Sequence, residues 1–384
     1  MRVAHLIARL IIGGAQENTV LNCHDLIRDY GDEVLLIAGP GLGPEGSLEA
    51  DAQALGIPIE IIPSLRRPIH PTRDFAAWRA LSGALARFKP DVVHTHGGKC
   101  GLFGRVIASQ QGVRAIVHTV HGAAFHPYQP APARAFFRHC EKVASARCHA
   151  IISVADAMTE QLVAAGVAPR EKFTTIYSGM EVESFLKSGR LRELVRRDFG
   201  FSADDFVVGK VARLFHLKGH ADLVAAARIA DERRKYVKYL IIGDGILRPQ
   251  IEAQIAAAGL TANFHFTGLV PPSQIAELLS ATDLVVHTSY REGLARVLPQ
   301  ALLAGKPVIS YDVDGAREVI IDGVTGRLIQ AGDVAGLAAR IVDLSMATAL
   351  CEQMGATGRE LCRARFDHRE MTRQIRALYE RLLA

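Results

Sequence analysis

The chain has 384 residues, 49% of them hydrophobic and 22% charged, with a formal net charge of +5. That length holds two domains with full cores, and the apolar fraction excludes a disordered or low-complexity chain. The positive charge is mild and the few aromatics are not interleaved with basic residues, which excludes a nucleic-acid binder.

The first residues, MRVAHLIARLII, have a basic start and an apolar run. His5 and Arg9 interrupt that run, and Gly-Gly-Ala-Gln-Glu-Asn follows where a signal peptide would show a small-residue cleavage site, so a first strand is expected. Further apolar runs predict strands at 33–38, 59–62, 91–94, 115–118, 150–154 and 173–176, the first being 3–8. Helix-period segments lie between them at 15–28, 73–88, 99–109, 133–146 and 155–164. Segment 178–192 loses the pattern and turns polar around Gly179 and Gly189, which places a hinge there. The scheme then repeats, with strands expected at 206–211, 237–242, 263–266, 284–287, 308–311 and 326–329. Helices are expected at 219–230, 247–257, 272–280, 295–304, 316–321 and 334–344. The last fifty residues read as charged helix and end in the amphipathic MTRQIRALYERLLA.

Strand-helix alternation of this kind predicts an α/β chain of two doubly wound, Rossmann-like domains facing each other across a cleft. The expected divisions are 1–183, 184–368, and 369–384 as a helix packing back on the first domain. Six cysteines without a CxxC pair favour reduced thiols over a disulfide framework or a zinc site. No apolar stretch reaches the length of a membrane span.

In such folds ligands sit past the carboxyl ends of strands, so chemistry is sought there. The stretch from His287 to Ser310 places Glu292 and Gly293 in a turn, with a helix expected from Ala295 or Arg296 whose free N–H groups suit a phosphate. Pro299 fits its first turn, and Gln300 can face the same cavity. The plainer alternative is an acidic loop before a buried crossover helix. Gly13 and Gly14 open a helix after the first strand and let backbone approach an anion or sugar. Four histidines crowd one sheet edge: His94 and His118 are expected inside the sheet, His96 and His121 as hydrogen-bond donors lining the cleft. A metal is the weaker reading, since the spacing is not that of a metal site. Segment 134–147 carries Arg134, Phe136, Phe137, Arg138, Lys142 and Arg147, either a contact for an anionic membrane or a helix with buried aromatics and a solvated basic face. Arg213 and Lys218 flank a loop that enters a helix at Gly219. A diphosphate there would meet a guanidinium fork and a point charge, each contact worth about 4 kcal/mol before desolvation. Gly243, Gly245, Gly268 and Leu269 follow later strands, where backbone can meet a nucleobase.

The second half, with Arg213-Leu214 ahead of Lys218-Gly219, then IIGDG, FTGLV, TSYREG, ALLAGKPVI and GAREVIIDGVTG, resembles the retaining GT-B glycosyltransferases of family 4, the group 1 type. In the first half GGAQENT, PDVVHTHGGKCGLFGRV, HTVHG and IYSGMEVESF agree. The resemblance implies a GT-B fold and transfer of a hexose-type sugar, with retention, from a nucleotide-diphosphate sugar to a glycan or lipid-linked acceptor. It implies that Arg213 and Lys218 hold the diphosphate, with backbone of Gly293, Leu294 and Ala295. Glu292 would meet donor-sugar hydroxyls, His121 would sit near sugar and phosphate, and Gly13 or Gly14 would close over the phosphates. Neither a metal nor another cofactor is expected, and the expected setting is cytoplasmic, with a peripheral contact to the inner face of the cell membrane through Arg134 to Arg147. The second acid of the family's E-x7-E is Gln300 here, which can still hydrogen-bond a ribose. Ser178-Gly179-Met180-Glu181 and His149 also depart from the pattern. Two other readings stand beside this one: a different GT-B sugar-nucleotide enzyme, an epimerase or phosphorylase, and a non-catalytic nucleotide-binding partner of another transferase. Base, sugar, acceptor and linkage are not specified by these residues.

Overall fold

The structure, a computed structural model, describes residues 1–43 and 46–384. It divides into two units, Met1–Met180 with Asp367–Ala384, and Glu181–Phe366.

The first unit runs β1 Arg2–Ile7, α1 Gly14–Tyr30, β2 Glu33–Ala38, α2 Glu49–Ala54, β3 Ile59–Ile61, α3 Pro71–Phe88, β4 Val92–His96, α4 Gly98–Gln110, β5 Ala115–Val120, α5 Ala131–Ser145, β6 Ala150–Ser153, α6 Asp156–Ala164 and β7 Phe173–Thr175. Its sheet has the order β3-β2-β1-β4-β5-β6-β7, with every pairing parallel. Helices cover both faces of such a sheet, which is why its strands read as runs of Val, Ile and Ala rather than as an alternation. In register, His5 lies beside His94 and Thr95 beside His118.

The second unit runs α7 Val182–Leu186, α8 Arg192–Asp198, β8 Phe206–Val211, α9 His220–Asp231, β9 Val237–Ile242, α10 Arg248–Ala257, β10 Phe264–Gly268, α11 Ile275–Ser280, β11 Leu284–His287, α12 Val297–Leu303, β12 Val308–Tyr311, β13 Gly326–Ile329, α13 Val334–Ser345 and α14 Thr348–Arg363. The sheet order is β10-β9-β8-β11-β12-β13. Asp283 ties the amino end of this sheet to α8: it accepts from Arg192, from Arg196 at 3.2 Å and from the Val207 amide at 2.8 Å.

Three local expectations change. The division between the units falls at Met180–Glu181, inside the segment 178–192 expected as a hinge, but the rest of that segment is not patternless and contains α7 and a 3₁₀ turn over Ser188–Leu191. The helix expected at 316–321 is a 3₁₀ turn, Asp314–Glu318, because Asp314 enters it in the left-handed region at φ 47°. The helix after Glu292 begins only at Val297, so residues 293–295 form an irregular turn ahead of it.

The last helix, α15 His368–Leu383, belongs to the first unit and packs on α1. Fully buried Asp25 accepts from His368 Nδ1 at 2.7 Å and Thr372 Oγ1 at 2.9 Å, and Arg376 donates to Asp32 at 3.0 Å. Gly179 backs onto this helix so closely that a Cβ would lie 2.4 Å from the His368 Cα.

Candidate functional site

Both sheets have a switch point, where successive connections leave in opposite directions and open a crevice at the strands' carboxyl ends. In the second unit it lies between β8 and β11, which pair directly. The turn after β8 carries Arg213 and Lys218, and the turn after β11 carries Glu292.

These two turns are stapled together from beneath. Lys210, on β8 and fully buried, donates through Nζ to the Lys218 carbonyl at 2.8 Å and to Thr288 Oγ1. Thr288 Oγ1 donates in turn to the Gly219 carbonyl at 2.7 Å, and the Tyr290 amide donates to the Leu217 carbonyl at 2.9 Å. The backbone pays a conformational penalty for this closeness at Leu217, held at φ 64°, while Gly219 takes φ 61° without a Cβ to oppose it. At Gly219 a Cβ would lie 2.0 Å from the Thr288 carbonyl oxygen, so only glycine fits.

On this base Lys218 Nζ donates to Glu292 Oε1. Burial alone would raise the Glu292 carboxyl, but the Lys218 ammonium beside it outweighs that and holds the group well below the usual range. His287 Nε2 lies 3.6 Å from Glu292 Oε1, and its Nδ1 meets Ser310 Oγ at 3.0 Å. The Glu292 amide donates to Asp314 Oδ2 at 2.6 Å, which fixes the turn from the far side. Arg213 lies exposed on the same turn as Lys218, its guanidinium 5.1 Å from the Phe215 ring centre. Behind the pair, Asp222 accepts from the hydroxyls of Tyr290 and Tyr311, each at 2.7 Å.

Gly293, Leu294 and Ala295 are buried next to Glu292, and Gln300 lies partly exposed on α12. Gly243 and Gly245 form the turn after β9, where a Cβ on Gly243 would lie 2.4 Å from the Ala212 carbonyl oxygen. Gly243 bridges to Gly268 at the end of β10, with Leu269 exposed beside it.

In the first unit Gly13 and Gly14 open α1, with the Gly13 carbonyl accepting from the Glu17 amide at 2.9 Å. The histidines there form a chain. His121 Nε2 meets His96 Nδ1 at 3.0 Å, and His96 Nε2 meets His5 Nδ1 at 3.0 Å. His96 is therefore not a surface donor as expected but a buried link, 2% exposed, and only His121 reaches the surface. Burial pushes His5 down to about 3 and His94, His96 and His118 well below their ordinary value, so these rings are neutral. The ring nitrogens of His5, His94 and His96 lie within 4.8 Å of one another. Both nitrogens of His94 already meet protein partners, the Tyr379 hydroxyl at 2.5 Å and Thr119 Oγ1 at 2.6 Å, so a cation there would have to break them.

Helix α5 turns out its basic face and part of its aromatic one. Arg134, Arg138, Lys142 and Arg147 are exposed, Phe136 is 53% exposed and Phe137 is half-buried. Buried Glu141 anchors the helix through Arg105 at 2.8 Å.

The site thus brings Lys218 and Glu292 together as neighbours. Sequence reasoning missed Lys210, His287 and Asp314. Two of these, Lys210 and His287, sit inside strands where a sheet covered on both faces calls for apolar residues, and a polar or charged residue at a strand's buried position was the available signal.

The family model described as Glycosyl transferases group 1 matches residues 192–361, and that described as Glycosyltransferase Family 4 matches residues 12–184. A GDP-mannose-dependent alpha-mannosyltransferase of Mycobacterium tuberculosis is 30% identical over 328 residues, covering 82% of this chain and 80% of its own. An Escherichia coli enzyme, UDP-Gal:alpha-D-GlcNAc-diphosphoundecaprenol alpha-1,3-galactosyltransferase, is 26% identical over 275 residues, 71% of each chain. Among solved structures, Anabaena HepE in complex with UDP and glucose superposes with a TM-score of 0.83 at 24% identity, covering 99% of both chains.

Proposed function

The chain belongs to the group 1 glycosyltransferases of family 4, with the GT-B fold, and from that premise we propose its reaction. It moves a hexose-type sugar from a nucleotide-diphosphate sugar to a glycan or lipid-linked acceptor, with retention at the anomeric carbon, in polysaccharide or glycolipid synthesis. Relatives that name GDP-mannose, or UDP-Gal with a diphosphoundecaprenol acceptor, support the substrate class, as does a neighbour holding UDP and glucose. The observation that carries the reading is the Lys218–Glu292 pair at the β8–β11 switch point, with Arg213 on the same turn.

As the glycosidic bond breaks, negative charge grows on the leaving diphosphate. Lys218 meets it as a point charge and Arg213 as a planar fork, so the stabilisation strengthens where the transition state needs it. These cations supply the neutralisation, and no metal is assigned a role. Glu292 only accepts hydrogen bonds when ionised, so it suits sugar hydroxyls and fixes the ring over the leaving group. Backbone of Gly293, Leu294 and Ala295 faces the phosphates, Gln300 the ribose, and Gly243, Gly245, Gly268 and Leu269 the base. No carboxylate nucleophile is assigned. The leaving phosphate takes the acceptor proton on the face where the new bond forms. In the first unit, His121 and the Gly13–Gly14 turn are the polar groups offered to sugar and phosphate. The basic, aromatic face of α5 is the proposed contact with an anionic membrane at its cytosolic side.

A thermal-shift panel of nucleoside diphosphates and their sugars tests this, because a ligand that binds only the folded chain raises its melting point. The expected result is a shift with one base, and slow release of free nucleotide from its sugar in the presence of EDTA. No shift and no turnover with any sugar nucleotide overturns the reading.

A further inference from the structure

Hydrogen bookkeeping around His287 leaves one atom without a partner. Ser310 Oγ has one hydrogen and two acceptors in reach, the Tyr311 carbonyl oxygen at 2.8 Å and His287 Nδ1 at 3.0 Å. With that hydrogen on the nearer oxygen, the contact between Ser310 Oγ and His287 Nδ1 is donated by the ring. In that arrangement a neutral His287 carries its proton on Nδ1 and turns a bare Nε2 lone pair toward Glu292 Oε1, 3.6 Å away. That nitrogen is buried and has no hydrogen-bond partner among the described residues. Two acceptors facing each other are tolerable only because Lys218 holds the same carboxylate oxygen.

We propose that His287 is a positioning residue that replaces Lys218 as the cationic partner of Glu292 when Lys218 turns to an anionic ligand. The step rests on the donor reading above. Lys218 keeps its charge and carries it to the diphosphate, His287 Nε2 takes one proton from solvent, and the resulting N–H donates to Glu292. The carboxylate stays ionised and stays in place, ready for sugar hydroxyls. Around the ring, burial lowers the tendency to protonate, Glu292 raises it, and Lys210 and Lys218 lower it. Asp314 is the remaining charged neighbour, close enough to sense a protonated His287. Moving Lys218 away removes one opposing cation and leaves Glu292 uncompensated, so both changes favour the imidazolium.

The first test needs no ligand. In Lys218→Met, the histidine ring resonances followed by NMR against pH, with His287 assigned by its absence in His287→Asn, should show His287 protonating at least one pH unit higher than in the parent. Lys218→Gln serves if the methionine variant does not fold. An unchanged His287 titration in the folded variant overturns the proposal. The second test is calorimetric titration with UDP and with GDP in two buffers of different ionisation enthalpy. The parent should take up a proton on binding, His287→Asn should not, and affinity should weaken by up to about tenfold per pH unit between the free and bound titrations of His287. Binding without proton uptake overturns the proposal while leaving the donor reading intact. Absence of binding by any nucleoside diphosphate removes the donor reading, and the ligand-free NMR result still decides the exchange of partners.

Discussion

Gly219 is the residue at which the site tolerates least. Its left-handed backbone and the Thr288 carbonyl 2.0 Å from any added Cβ leave no room for alanine. Gly219→Ala should cost about 1–3 kcal/mol from backbone strain alone, read by urea unfolding, and should disorder the turn that presents Lys218. Arg213→Ala should keep its stability, because the side chain is exposed, and lose about 10²-fold in turnover. An Arg213→Ala chain working at full speed would remove Arg213 from the reaction. At the position where the family has its second acid, Gln300→Glu should hold or improve donor affinity, measured by titration with the sugar nucleotide. Lys210 carries a pH signature. Burial, helped by Lys218, pushes its ammonium down to about 7. Between that point and the ordinary lysine value of about 10.4 the unfolded chain holds a proton that the folded chain lacks, so stability rises with pH across this window. The cost is fully present below about pH 7 and fades toward pH 10. Lys210→Met removes it, so the variant's urea midpoint relative to the parent should fall as pH is raised from about 6 to about 10.

At the scale of elements, α15 is held by polar contacts that have no substitute. Asp25→Ala strips buried His368 and Thr372 of their acceptor, and should cost about 2–5 kcal/mol with early loss of hydrogen-exchange protection along α15. Equal protection in the variant would show that apolar packing alone holds the helix. The strands were legible because a parallel sheet covered on both faces needs unbroken Val and Ile runs, and β2, β8, β9, β11, β12 and β13 fall where those runs lie. Arg213, Lys218 and Glu292 were legible as candidates because they stand directly after strands. The start of α12 was not, since residues 293–296 have helix-compatible side chains and their turn is set by Asp314, 22 residues downstream of the amide it holds. Helices α2, α7 and α8 are short and polar, and periodicity over five to seven residues carries little information. Lys210 and His287 stayed hidden because their meaning lies in Thr288 and Ser310, partners reached only through the sheet.

For the whole molecule, two surfaces give simple readouts. The exposed cations and Phe136 of α5 predict that the protein pellets with anionic vesicles at low salt, and that binding fades as salt is raised. Charge removal at Arg134 and Arg138 should abolish pelleting, and a chain that never pellets would end the membrane reading. Cys140 on the same helix is the one partly exposed thiol, the other five being buried. A native-state thiol titration should therefore modify one cysteine quickly and six after denaturation, and the quick one is a labelling point on α5 for the vesicle experiment. The histidine chain of the first unit has a further consequence, in time rather than space. His94 finds its Tyr379 partner 285 residues later in the chain. At about 5–20 residues per second, that hydroxyl leaves the ribosome roughly 15–60 s after the strand that needs it. At the end of that interval, once Phe366 is made, the second unit has all of its own residues while the first still lacks α15, so the half begun first is the half completed last. Until α15 is made, the surface of α1 and β5 that it covers has no cover of its own.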